Sequence, residues 1–139
     1  MSESKNRPPA PERIFTLEEA NAMIPMFAEW LHEIQVLKQA IVNIIESKAE
    51  MTKGNGHYHT DSVQTKHDLG TTADAVGRIT ELVTRINQTG AELKDLDLGL
   101  VDFPYQRGAK IVYLCWILGE KTITHWHTLD SGVGGRQPL

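Results

Sequence analysis

Apolar side chains recur at Ala20, Met23, Phe27, Trp30, Ile34, Leu37, Ile41 and Ile44. The steps alternate three and four, so on an α-helix they form one stripe sustained for about three heptads. Ile24, Leu31 and Ile45 widen the stripe into a broad apolar face, with Ile34, Leu37 and Ile41 expected to be buried at its centre. No strand reads this way, and a stripe of this length needs a partner helix. The start is marked too. Thr16 followed three positions later by Glu19 is a capping box, in which each side chain satisfies a free backbone N–H of the other. Glu18 and Glu19 also place negative charge at the positive end of the helix dipole. Pro25 interrupts the pattern because it lacks the N–H that would bond to Asn21, so a kink or a short separate first helix is expected there.

A second helical pattern supplies the partner, clearest at Val76, Ile79, Val83, Ile86 and Leu93, with Gly90 suited to its C-terminal end. Between the two lies KGNGHYHTD (Lys53–Asp61), whose glycines and polar residues read as a loop. Two helices joined this closely must pack antiparallel to bury their stripes. The period then changes. LGLVDF (Leu98–Phe103), KIVYLCW (Lys110–Trp116) and TITHWH (Thr122–His127) are short and rich in β-branched and aromatic residues. They are separated by PYQRG (Pro104–Gly108) and LGEK (Leu118–Lys121), which makes an antiparallel meander the expected arrangement. A three-stranded sheet alone is marginal, so it should lay its apolar face on the helices.

The expected fold is therefore α+β: a long, kinked antiparallel helical hairpin followed by a small three-stranded antiparallel β-meander. Residues 1–12 read as a flexible tail and 13–139 as one domain, the hairpin at 13–95 and the meander with a glycine-rich tail at 96–139. With 139 residues, 40% hydrophobic and 23% charged, the chain suits a single globular domain. Its formal charge of −4, with no cluster of Lys and Arg, argues against a nucleic-acid partner. No apolar run approaches the ~20 residues that span a bilayer. The start MSESKNRPPAPER has no apolar segment of a signal peptide, and the single cysteine, Cys115, fits a reducing compartment. A cytoplasmic, soluble protein is expected.

The residues that could carry chemistry lie in the strands. Along the third strand His125 and His127 share one face with Ile123, because strand side chains alternate. On the middle strand Ile111, Tyr113 and Cys115 alternate with Val112, Leu114 and Trp116. A suitable register brings Cys115 to the same side as the histidines, with Asp102 on the first strand and Asp130 after the third able to complete a ring. Thiolate, imidazole and carboxylate together suit zinc or iron, and three protein ligands would leave a position for water. The competing reading is plain: a lone buried cysteine acts as a small hydrophobe, and strand histidines often only hydrogen-bond. Nucleophilic catalysis by Cys115 with a histidine ranks lower, since an apolar strand raises the thiol pKa. His57, His59 and Asp61, with His67 further on, read as a solvated connector rather than ligands. In the ending SGVGGRQPL, Arg136 after three glycines could bind an anion; otherwise the tail simply returns across the sheet.

Taken together, RIFTLEEANAMIP (Arg13–Pro25), GLVDFP (Gly99–Pro104), VYLCWILGE (Val112–Glu120) and HWHTLDSGVGGRQPL (His125–Leu139) resemble an uncharacterised prokaryotic family, number twenty-two-zero-three among the domains of unknown function. The resemblance covers nearly all the chain beyond the N-terminal tail. It implies no transferable activity, substrate or cofactor. Its recurring polar positions match Asp102, Cys115, His125, His127, Asp130 and Arg136, which strand parity reaches independently; His57 and His59 fall outside them. Two function classes follow: a small metal-binding protein centred on the sheet, or a coiled-coil interaction module. The length of the stripe against the small sheet predicts a homodimer through the helices.

Overall fold

The structure is a computed structural model that describes the backbone of residues 11–53 and 62–139 and the side chains of 11–50 and 66–139. Most of the expected tail and the interhelical segment with His57 and His59 lie outside the described residues. Among the described residues two helices, α1 (Leu17–Lys53) and α2 (Ser62–Gln88), precede a five-stranded antiparallel sheet in chain order. Its strands are β1 (Glu92–Asp95), β2 (Leu100–Arg107), β3 (Lys110–Ile117), β4 (His125–His127) and β5 (Gln137–Pro138). The α+β class holds, and the count of three strands is corrected to five. The chain divides into two compact units, one comprising the chain through Ile24 with Ile86–Leu139, the other Pro25–Arg85.

The capping box forms as read. The Thr16 N–H donates to Glu19 Oε1 at 2.9 Å and the Glu19 N–H to Thr16 Oγ1 at 3.0 Å. The Thr16 amide holds the Glu19 carboxyl below its ordinary range. Pro25 does not end the helix: α1 runs through it without a break, so no separate first helix exists.

In the Pro25–Arg85 unit, Phe27, Leu31 and Ile34 are buried on α1, and Ala75 and Leu82 on α2. Leu37 and Ile41 are only half-buried, a correction to the expected seam, and Val36 and Ile45 beside them are exposed. On α2 the buried positions are Ala75, Leu82 and Ile86, with Ile79 half-buried, while Val76 is 50% exposed. The register sits one residue away from the Val76–Val83 reading, since small Ala75 faces inward where the larger valine drew attention. Arg78 ties α2 to α1 through two bonds to Glu33, Nε to Oε2 at 2.6 Å and Nη2 to Oε1 at 3.1 Å.

In the other unit, Val101, Phe103, Val112, Leu114, Trp116 and Trp126 fill one face of the sheet. Phe15 meets Phe103 edge to face at 5.2 Å, and Asn21 Oδ1 accepts the Ile123 N–H at 2.8 Å. Pro104 sits inside β2 although proline removes a ladder donor. β1 pairs only with Leu100–Asp102, and on the side it leaves open the Pro104 carbonyl accepts the Phe15 N–H at 2.8 Å. A strand residue's N–H and C=O point to the same side, so the missing donor costs no strand pairing. Hence PYQR continues the strand, and the turn shrinks to Gly108–Ala109.

Glu92–Asp95 was expected to close the helical segment and is instead strand β1. Gly90 ends α2 as expected, with φ +99° and a Cβ position only 2.8 Å from the Arg13 Cβ, so both backbone and space favour glycine. The glycine-rich tail does return across the sheet: β5 pairs with β4, Pro138 opposite His125 and Gln137 opposite Trp126.

Candidate metal centre

Strand parity and register assemble the site. Asp102 lies opposite Cys115, and Cys115 opposite His125, so these three share one face with His127 two residues on. This is the face opposite Phe103, Leu114 and Trp116. His127, opposite Tyr113, reaches diagonally across β3 to Asp102 on β2: Nε2 lies 3.0 Å from Oδ1. The Cys115 thiol lies beside the same carboxyl. One ligand-type atom from each of Asp102, Cys115 and His127 lies within 4.8 Å of the other two, and all three residues are buried.

The hydrogen bonds define the protonation of the cluster. His127 Nδ1 lies 2.8 Å from the Thr128 carbonyl. A carbonyl only accepts, so Nδ1 carries a hydrogen. The Nε2 lone pair of the neutral ring is then directed at Asp102, and the pair shares one proton. Burial pushes the Asp102 carboxyl up, while the bond to His127 partly offsets that. Burial, with the Asp102 charge added, pushes the Cys115 thiol up to about 12. The resting cluster is therefore electrically neutral, a thiol beside a proton-sharing pair.

The other expected members lie apart. His125 shares the face, but its Nδ1 hydrogen-bonds Thr124 Oγ1 at 2.8 Å and it does not join the three that converge. Asp130 is exposed and accepts from Thr128 Oγ1 at 2.7 Å, a bond that holds its carboxyl below the usual range. Arg136 already has an anion within the chain: Nη2 donates to both Glu120 oxygens at 2.8 and 2.9 Å and to the Cys115 carbonyl at 3.1 Å. It thus fastens the tail behind the cysteine.

Sequence reasoning overlooked the pocket in front of the cluster. About 130 Å³ in volume, it is lined by Asp102 and His127 together with Lys94, Tyr113, Leu129 and Val133. Lys94 went unnoticed because ELKD was read as the end of a helix. Tyr113 could have been found, since it shares parity with Cys115.

Three buried side chains on adjacent strands, Asp102, Cys115 and His127, could each offer one ligand atom to an ion, and Asp102 and His127 also line a pocket. The chain belongs to the DUF2203 family, described as an uncharacterised conserved protein, whose profile matches residues 13–139. No curated protein and no solved structure matches it. No helix among the described residues is long and apolar enough to cross a membrane.

Proposed function

We propose that Asp102, Cys115 and His127 bind one transition-metal ion, zinc or iron, beside the pocket that Asp102 and His127 line. The approach of three buried residues' ligand atoms to within 4.8 Å carries this reading, and the widest pair would draw closer around an ion held at about 2.0–2.3 Å. The histidine supports it, because metal-bound imidazole characteristically donates its other N–H to a carbonyl or carboxylate. Charge supports it as well. A divalent ion would displace the thiol proton and the shared Asp102–His127 proton, leaving thiolate, carboxylate, neutral imidazole and ion, again neutral in sum. Such exchange makes binding weaken as pH falls. An ion with one exchangeable position polarises bound water or a substrate oxygen, so hydrolytic chemistry, or redox chemistry with iron, is the activity class this site suits.

Elemental analysis of untagged protein purified without chelator should find about one ion per chain, the load of a single-ion site. Cobalt(II) added to stripped protein should give a thiolate charge-transfer band that Cys115→Ser removes while far-UV circular dichroism is unchanged. His127→Gln and Asp102→Asn should lower the metal content. Metal-free protein that also gives no cobalt band would end this reading.

A second reading concerns the helices and is compatible with the first. Val36, Val42 and Ile45 are exposed, the last at 60%, while Leu37, Ile41 and Ile44 are half-buried, so the far part of α1 is apolar on most sides. Such a helix needs cover, and a homodimer formed through the helical hairpin would supply it. Light scattering at tens of micromolar should give twice the chain mass; a strictly monomeric mass rejects the dimer.

A further inference from the structure

Asp102 and His127 of the cluster line part of the pocket, and the remaining walls carry information about what enters. Leu100, Leu129 and Val133 are apolar, the Tyr113 ring forms a flat side, and the cationic group is Lys94. The Lys94 ammonium sits 4.8 Å from the centre of the Tyr113 ring, and its charge reaches Asp102. Glu92 holds it there, accepting from Nζ at 3.0 Å and from the Tyr113 hydroxyl at 3.1 Å through the same oxygen. An ammonium has three donors, so two remain for a ligand, and Tyr113 has its hydrogen committed. The neighbouring Ser131 hydroxyl is also committed, to the Thr128 carbonyl. Beside the Asp102–His127 pair the pocket therefore offers two ammonium donors, on a lysine whose charge is shared with Glu92, and apolar surface.

We propose that this pocket binds a small monocarboxylate with a short aliphatic body, its carboxylate at Lys94 Nζ and its carbon chain against Leu100, Leu129 and Val133. Size guides the choice: an enclosed apolar cavity of about 150 Å³ accepts benzene, and about 130 Å³ in this half-open pocket suits a body of similar heavy-atom count, such as butyrate. An amine ligand would face the Lys94 charge. A phosphate would bring a second negative charge with no second cation to meet it, and would leave the leucine and valine walls unused. The inference deepens the metal reading by naming what would approach the open position, but the carboxylate's hold on Lys94 does not require the ion.

The test is a titration of full-length protein with butyrate and with butanamide, its neutral isostere, read by methyl NMR at Leu100, Leu129 and Val133. It is run on chelator-stripped and on zinc-loaded protein. Butyrate should shift these methyls saturably and bind at least about tenfold tighter than the amide, the difference a charge-assisted contact makes. Lys94→Gln should abolish the preference and Lys94→Arg restore it. Equal affinities, shifts confined to other residues, or a preference that survives Lys94→Gln would each overturn the proposal. The two readings fail separately. Zinc bound without carboxylate preference removes this inference alone, whereas carboxylate preference in protein that takes up no metal removes only the metal centre.

Discussion

The two units of this chain solve the burial problem in opposite ways. In the sheet unit, β2 and β3 pair residue for residue from Leu100↔Ile117 to Arg107↔Lys110. One face is closed by aromatic and branched side chains, while the other buries a carboxylate, a thiol and an imidazole that must meet one another. Sliding a strand by one residue would exchange the two faces entirely. In the helical unit a shift of one position on α2 changes which of Ala75 and Val76 faces inward, and several large apolar residues stay half-covered. Polar burial thus demands a unique register where apolar burial tolerates several.

Substitutions of matched kind test this contrast most strongly. Phe103→Ala, at a fully buried position packed on Phe15, should cost about 3–5 kcal/mol in urea unfolding. Leu37→Ala, at a half-buried position, should cost about 1–2 kcal/mol, below the range for a fully buried leucine. A loss at Leu37 equal to that at Phe103 would break the contrast and show that a second copy covers the helix.

A smaller effect belongs to Cys115 and appears only in alkali. Its thiol has an ordinary pKa of 9.0 and is pushed up to about 12 in the fold, mainly by burial. Above pH 9 the unfolded chain releases this proton while the folded chain keeps it, so unfolding is increasingly favoured. The contribution is fully present below pH 9.0 and is lost as pH rises towards about 12. Chelator-treated protein should lose stability more steeply over that window than Cys115→Ala, whatever the variant's offset at neutral pH. Parallel curves would place the thiol in contact with water.

The difference between the units also governs what the sequence discloses. Period-two alternation puts His125 and His127 on one face because residue parity in a strand leaves no third choice, while Cys115 and Asp102 join them only through the strand register. It could not separate His127 from His125, which share that parity; the separation comes from the diagonal reach to Asp102 and from Thr124 capturing the His125 ring. β1 and β5 escaped notice for a physical reason: ELKD has no apolar alternation, and QP is a two-residue strand containing proline, so both are strands by backbone pairing alone. Pro104 read as a turn because the open side of β2 and its bond to Phe15 join distant segments. In the helices the stripe on α1 was legible from Ala20 to Ile34, but its far half could not disclose incomplete cover, which depends on what the rest of the chain supplies.

The smallest expected effect is the tie between the helices. Arg78 grips Glu33 with two bonds, yet their side chains are 37% and 39% exposed, so water screens the pair. The hydrogen bonds from Arg78 lower the Glu33 pKa below 4.5. A depressed carboxylate pKa adds stability above the unfolded value, lost as pH falls through the folded one. Glu33→Gln should therefore lower the unfolding midpoint slightly at neutral pH and low salt. The difference should shrink in about 1 M salt, where the Debye length falls to about 3 Å, and vanish in acid once Glu33 is protonated in both states. A difference that persists in salt would mean the pair is shielded from solvent, as it would be if another chain lay over the helices. The polar contact of the helical unit would then be buried like that of the sheet, and the contrast between the units would belong to the isolated chain alone.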